Sequence, residues 1–315
     1  MTTDTDPLHQ NRSDSAITPE RAAQLMRLAT YASVSVASVL IAVKFWAWAV
    51  TGAVSLLSTL IDSILDAGAS LLNLLAVRHA LEPADKEHRF GHGKAEALSG
   101  LAQAAFICGS AAFLIIQAGE RFLHPQAIEN TALGYAVMAL AIVLTLALVG
   151  FQRYVVNQTG SVAIKADSVH YQMDVLVNIS VIVSLVLVSN MGWGWADPAF
   201  ALAIAGYIVW GAWHIGMDAY HMLMDRELSD AERQAILDIA SAHPKVLGLH
   251  DLRTRSSGNR VFIQMHLEMD GEMSLYEAHA ISDAVEVMVL RVFPNAEVLI
   301  HEDPEGIEEQ QAVFH

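Results

Sequence analysis

Asp62 and Asp66 stand four residues apart inside an apolar run from Ala53 to Ala80, and His170 and Asp174 stand four apart inside another from Val162 to Ser189. On a helix the two members of each pair share one face, one turn apart. An Asp at the centre of a membrane helix costs about 2.5–3.5 kcal/mol on insertion scales, and helix packing alone does not call for four such groups. Three carboxylates and one imidazole do make a full ligand set for a divalent cation such as zinc. The competing account is a structural polar cluster, with Lys44 pairing to the carboxylates. Ionisable groups inside a membrane more often mark ion or proton pathways. Asn73 and Asn178 share the same two runs and suit interhelical hydrogen bonding.

Two further clusters carry metal-ligand chemistry. The segment Asp85-Lys-Glu-His88-Arg-Phe-Gly-His92-Gly-Lys94 offers a carboxylate and two imidazoles within eight residues. They chelate zinc if the loop folds around it, and spacing alone leaves a solvated polar loop equally open. The third cluster is His250, His266, His279, His301 and Asp303. Three of these histidines fall on expected strands and one on an expected helix, and a His-x-Asp unit at the end of the last strand could bridge two metals. His9, His79, His124, His214, His221, His243 and His315 have no partner at ligand spacing and read as non-functional.

The elements that must position these residues follow from hydropathy. The chain has 315 residues, 54% of them hydrophobic and 17% charged, with a mean hydropathy of +0.38. That suits a membrane protein with a modest soluble part. Apolar runs extend from Leu28 to Val50, Ala53 to Ala80, Ala97 to Phe122, Thr131 to Val155, Val162 to Ser189 and Trp193 to Met224, each long enough for the roughly 20 residues that cross the hydrocarbon core. No cleavable signal peptide is expected in the polar first thirty residues. Arg12, Arg21 and Arg27, then Arg78, Lys86, Arg89 and Lys94, then Arg153 and Lys165 flank alternate ends of these runs, while the intervening loops offer Arg121. The asymmetry predicts cytoplasmic termini. Lys44 is expected to snorkel to the interface.

Beyond Asp225 the chain turns polar and acidic, and the formal net charge is −16. That excludes nucleic acid as a partner, because phosphate binding needs clustered Lys and Arg. Capping boxes at Ser229/Glu232 and Ser274/Glu277 open two helices, each stopped before a proline. Strands are expected at Val246–Arg255, Arg260–Met269 and Glu297–His301, with a Ser-Ser-Gly-Asn hairpin turn between the first two. The order α-β-β-α-β makes a small α+β domain with both helices on one face of the sheet. The expected organisation is a polar tail over 1–27, a membrane domain of six transmembrane helices over 28–224, a cytoplasmic metal-binding α+β domain over 225–304 and an acidic tail over 305–315. Cys108, the one cysteine, permits no intramolecular disulfide and reads as a small buried packing residue.

These residues resemble the cation diffusion facilitators, in particular the bacterial zinc and ferrous-iron efflux branch. The resemblance spans nearly the whole chain past residue 28. It rests on Asp62-Ser-Ile-Leu-Asp66, Arg89-Phe-Gly-His-Gly-Lys-Ala-Glu96, Asp167-Ser-Val-His-Tyr-Gln-Met-Asp174, Gly248-Leu-His-Asp-Leu-Arg-Thr-Arg255 and Leu299-Ile-His-Glu-Asp303. It implies a multi-pass protein of the bacterial inner membrane, with a metallochaperone-like soluble domain, that works as a homodimer. It implies a transport site at Asp62, Asp66, His170 and Asp174, and a loop site at Asp85, His88 and His92. The binuclear cytoplasmic site that supports dimerisation would be His250, His266, His279, His301 and Asp303, and Lys94 with Asp225 would form a charge pair at the dimer junction. The implied activity is proton-coupled antiport by alternating access, exporting Zn2+ and also Fe2+ or Cd2+. The manganese branch usually has Asp where this chain has His170. Two other classes fit less well: a membrane-embedded metallohydrolase, which lacks an evident nucleophile or general base beside the cluster, and a metal sensor, for which six spans with buried ligands make a poor anchor.

Overall fold

The computed structural model describes residues 17–52, 54–123, 132–191 and 196–306. Ala53, Thr131 and Trp193, where three apolar runs were expected to begin, lie outside them, as do Arg12, His9, His124, His315 and the acidic end from residue 307. The described chain divides into two compact units, one from Ala23 to Tyr220 and the other holding the rest.

The first unit is helical. Its elements are α1 (Pro19–Thr51), α2 (Val54–Ala80), α3 (Ala95–Leu123), α4 (Ala132–Thr159), α5 (Val162–Met191) and α6 (Ala196–Leu223). Among the described residues, segments of α1, α2, α3, α4 and α6 are long and apolar enough to cross a membrane by length and composition. α5, 30 residues long, carries the polar groups. It packs against α2, α3 and α4. Ala166 and Met173 join a core with Ile107 of α3 and Ile208 and Ile215 of α6, and Tyr171 joins another with Leu148 and Val149 of α4. Lys165, Leu176, Ile179 and Val183 stay on the exposed side of α5, so the polar residues on its buried side must find partners inside the bundle.

Three expectations are corrected here. α1 starts at Pro19, well before Leu28, because Thr18 Oγ1 accepts from Arg21 N at 3.3 Å and Pro suits a first helical position. Hydropathy locates the membrane-crossing part of a helix, not its capped polar extension. Lys44 does not snorkel: its Nζ donates to Thr59 O at 3.1 Å and Ser63 Oγ at 2.6 Å on α2. Cys108 is exposed, because the buried stripe of α3 around it runs through Ala104, Ile107 and Ala111, and Cys108 lies off that stripe.

The second unit contains α7 (Asp230–Ser241), β1 (Gly248–Ser257), β2 (Arg260–Met269), α8 (Leu275–Val292) and β3 (Ala296–Pro304). Both capping boxes form as the sequence predicts. The sheet order is β1-β2-β3; β1 and β2 are antiparallel, and β3 runs parallel to β2 after the α8 crossover. Period-two alternation along β2 sorts its side chains. Ile263, Met265, Leu267 and Met269 pack with Ile236, Ile281, Val285 and Val289 of the helices. Gln264, His266 and Glu268 therefore point to the opposite, helix-free face.

Ile263 is wholly buried in this core. Ile263→Ala should cost about 2–5 kcal/mol, read as a lower denaturant midpoint for this unit. A midpoint within error of wild type would show that the sheet–helix core is not what holds the unit together.

Candidate metal centres

In the helical unit, one ligand atom each from Asp66, His170 and Asp174 lies within 4.8 Å of the others. His170 Nε2 is 3.2 Å from Asp66 Oδ1 and 3.9 Å from Asp174 Oδ2. His170 is buried, with the Phe106 and Tyr171 rings edge-on at 5.7 and 5.6 Å. Asp62, the fourth expected member, is one turn from Asp66 on the exposed side of α2 and outside that cluster. Asn178 Nδ2 donates to the Asp174 backbone carbonyl at 2.8 Å, and Asn73 Oδ1 accepts from Ser99 Oγ at 2.9 Å, tying α2 to α3.

A second polar knot lies one turn along α5. Asp167 is wholly buried. Its Oδ2 accepts from Ser33 Oγ of α1 at 2.6 Å and Gln152 Nε2 of α4 at 2.7 Å, and its Oδ1 from Ser70 Oγ of α2 at 3.4 Å. Ser70 Oγ and Tyr171 Oη are 2.8 Å apart. Sequence reasoning quoted Asp167 within a motif but gave it no role. Its signal was available: it is three residues before His170 and so lies one turn from the cluster.

The loop site also converges. Asp85, His88 and His92 place ligand atoms within 4.8 Å of one another. Asp85 Oδ1 accepts from the backbone N–H groups of His88 at 2.6 Å and Glu87 at 2.8 Å, and these bonds hold its carboxyl below the usual carboxylate range. A carboxyl held low lends the turn stability that is present above the unfolded value and lost as pH falls through the depressed one. His88 Nδ1 and His92 Nε2 each lie 3.4 Å from a different Asp85 oxygen. His92 Nδ1 is buried without a hydrogen-bond partner among the described residues. A rigid carboxylate facing two imidazoles fits a resident zinc ion.

On the sheet, three histidines share one register row: His250 pairs with His266, and His266 with His301. Their rings lie 5.0 and 4.6 Å apart along the row. Just past His250 the pairing shifts, and Asp251 has φ 46°, the mark of a bulge that re-aims the strand. Asp303, buried, divides its oxygens. Oδ2 is 2.8 Å from His266 Nδ1 and 3.5 Å from His250 Nε2, while Oδ1 is 3.2 Å from His301 Nε2. That division fits two cations sharing one carboxylate. His279 is not brought into the row. It lies on α8, on the other side of the sheet, exposed and 3.8 Å from Asp283. Asp225 pairs with Arg255 at 3.3 Å within its own unit, and Lys94 belongs to the other unit.

Residues 30–224 match the sequence model of the cation efflux transmembrane domain, and residues 228–305 that of the cation efflux protein cytoplasmic domain. The chain belongs to the cation diffusion facilitator family. It is 50% identical to the cation-efflux pump FieF of Shewanella oneidensis, over 90% of this chain and 95% of that protein. It is 48% identical to that of Klebsiella pneumoniae, over 90% and 94%. The metal-bound C-terminal domain of the CzcD transporter from Thermotoga maritima is 29% identical over 26% of this chain and 100% of that one, with a TM-score of 0.25. Members are cation-efflux transporters rather than enzymes, and the chain is an integral, multi-pass membrane protein with a C-terminal α+β domain.

Removing the Asp167 carboxylate leaves buried donors on three other helices short of an acceptor, at about 1–3 kcal/mol. Asp167→Ala should lower the melting temperature of the detergent-solubilised protein by roughly 3–10 °C, while Asp62→Ala leaves it nearly unchanged. Equal melting of the two variants would strip the knot of its structural role.

Proposed function

We propose that the chain exports divalent metal from the cytoplasm in exchange for protons, with zinc as the main cargo and ferrous iron or cadmium also accepted. The observation that carries the reading is the meeting of Asp66, His170 and Asp174, from two apolar helices, at one point. Asp62 completes the set by a side-chain rotation from the next turn of α2. One imidazole with three carboxylates suits these borderline cations better than manganese. Every ligand must shed its proton to bind metal, so loading releases protons and protonation favours release. His170 is the best proton carrier, since an unperturbed imidazole titrates near 6.5.

Alternating access requires that the site open to one side at a time. The Asp167 knot, donated to by α1, α2 and α4, supports a seal on its side of the cluster, and Asp66 and Asp174 are less buried than His170. With both termini cytoplasmic, the knot faces the cytoplasm, because α5 begins on that side. Opening inward then means parting these hydrogen bonds.

The sheet row is a binuclear zinc site that supports a homodimer. His250, His266, His301 and Asp303 supply it from one protomer, and His279 reaches it only from a second copy, because its helix lies across the sheet. Asp85, His88 and His92 hold a further zinc.

Flux into liposomes with an imposed pH gradient tests the transport site. Asp66→Ala should cut zinc flux beyond the roughly 10–100-fold typical of losing an outer partner to a metal site. Near-normal flux in protein that reaches the membrane would remove the central claim. His170→Asp gives an all-oxygen site and should shift preference from zinc toward manganese, with weaker pH dependence near neutrality. Unchanged selectivity and pH response would show that His170 neither binds the cargo nor carries the proton.

Metal bound only by the folded form stabilises it by about 2.7 kcal/mol at a hundredfold excess over Kd. A fragment of the second unit should therefore melt lower in chelator, and Asp303→Ala should abolish that difference and lower its zinc content. A fragment that binds no zinc and melts identically with and without chelator would reduce the histidine row to surface residues.

A further inference from the structure

His79, in the last turn of α2, has no ligand-spaced partner in the sequence, yet the fold brings its ring beside His92, next to the three converging donors of the loop site. Its ring lies 4.5 Å from that of His92, no farther than the ring of His88, which stands at 4.7 Å. Its Nδ1 faces Glu82 Oε2 at 2.9 Å. A carboxylate on one ring nitrogen is the usual partner of a metal-binding histidine: it fixes the tautomer and leaves the other nitrogen to the cation. Glu82 stays in place because its backbone N–H donates to His79 O at 3.0 Å, continuing the end of α2.

The loop itself supplies three donors, Asp85, His88 and His92. Zinc held structurally by a protein is almost always four-coordinate. We infer that His79 is the fourth zinc ligand of the loop site, through Nε2, with Glu82 as its orienting partner. The inference rests on the loop-site reading and adds to it. It converts a three-donor site with an open position into a closed Asp-His-His-His set, and it anchors the loop to the last turn of α2.

The test uses the full-length protein in detergent, with Co2+ as a spectroscopic probe and Zn2+ as competitor. The cobalt spectrum of wild type minus that of Asp85→Ala isolates the loop site from the other centres. In that difference the wild-type band should have the intensity of tetrahedral cobalt. His79→Asn should weaken loop-site zinc binding roughly 10–100-fold and reduce the band, and Glu82→Gln should weaken it less. His79→Cys, which keeps a zinc ligand at the position, should restore affinity and shift the band by thiolate coordination. Should His79→Asn leave affinity and spectrum unchanged while Asp85→Ala abolishes both, the loop site stands and His79 is no ligand. If Asp85→Ala changes neither zinc content nor the cobalt spectrum, the loop site itself falls, and the inference with it. His79 is exposed at the surface, so its substitution leaves the fold intact, and the melting temperature of each variant checks this.

Discussion

A charge placed among apolar helices must be answered by other polar groups, and the helical unit is organised around that requirement. Asp167 meets it with hydroxyls from Ser33 and Ser70 and the amide of Gln152. These donors come from three helices, so satisfying one carboxylate fixes α1, α2 and α4 around α5. The face of α5 that carries His170 and Asp174 is then held one turn away, opposite Asp66. In this sense the cluster is positioned by a carboxylate that lies outside it. The histidine ring adds its own restraint, wedged between Phe106 and Tyr171, and Tyr171 itself belongs to the knot through Ser70.

The second unit solves a different problem with the same economy of parts. A sheet packed on one face by helices has a second face to spend, and here it carries imidazoles. The register of two strand pairs, rather than any loop, lines up His250, His266 and His301. One buried carboxylate then addresses both ends of the row. Burial of Asp303 against histidines makes its charge costly without a cation or protonated imidazole beside it, which is why the arrangement reads as a binding site and not as a decorated surface.

Much of this was legible in the sequence. The i, i+4 spacing located Asp66, His170 and Asp174 because helical spacing converts into shared faces, while Asp62 falls one turn away, outside the cluster. The capping boxes placed α7 and α8 to within a residue or two, since they are local chemistry. Strand β1 was expected two residues early and β3 a few residues short, because edge strands run as far as their pairing partner allows, and pairing is not a local property. What the sequence did not convey was convergence between distant elements. His79 was dismissed on spacing, although it and His92 meet through the turn that follows α2. The position of Asp167, one turn from His170, was legible, but its partners were not, because they are drawn from three separate helices. His279 satisfied a count of histidines but not the geometry, since a helix across the sheet cannot reach its far face within one chain.

Asp66 and His170 meet across 104 residues of chain. A ribosome delivers the N-terminal element first, so α2 enters the bilayer with Asp62 and Asp66 before the imidazole that will face them has been made. Each carboxylate costs about 2.5–3.5 kcal/mol at the centre of an unpartnered helix. The cation already on hand is Lys44, which reaches across from α1 to Ser63, between the two aspartates. Turned inward, it lies within electrostatic reach of both aspartates, so α1 and α2 together already hold a countercharge that does not depend on α5.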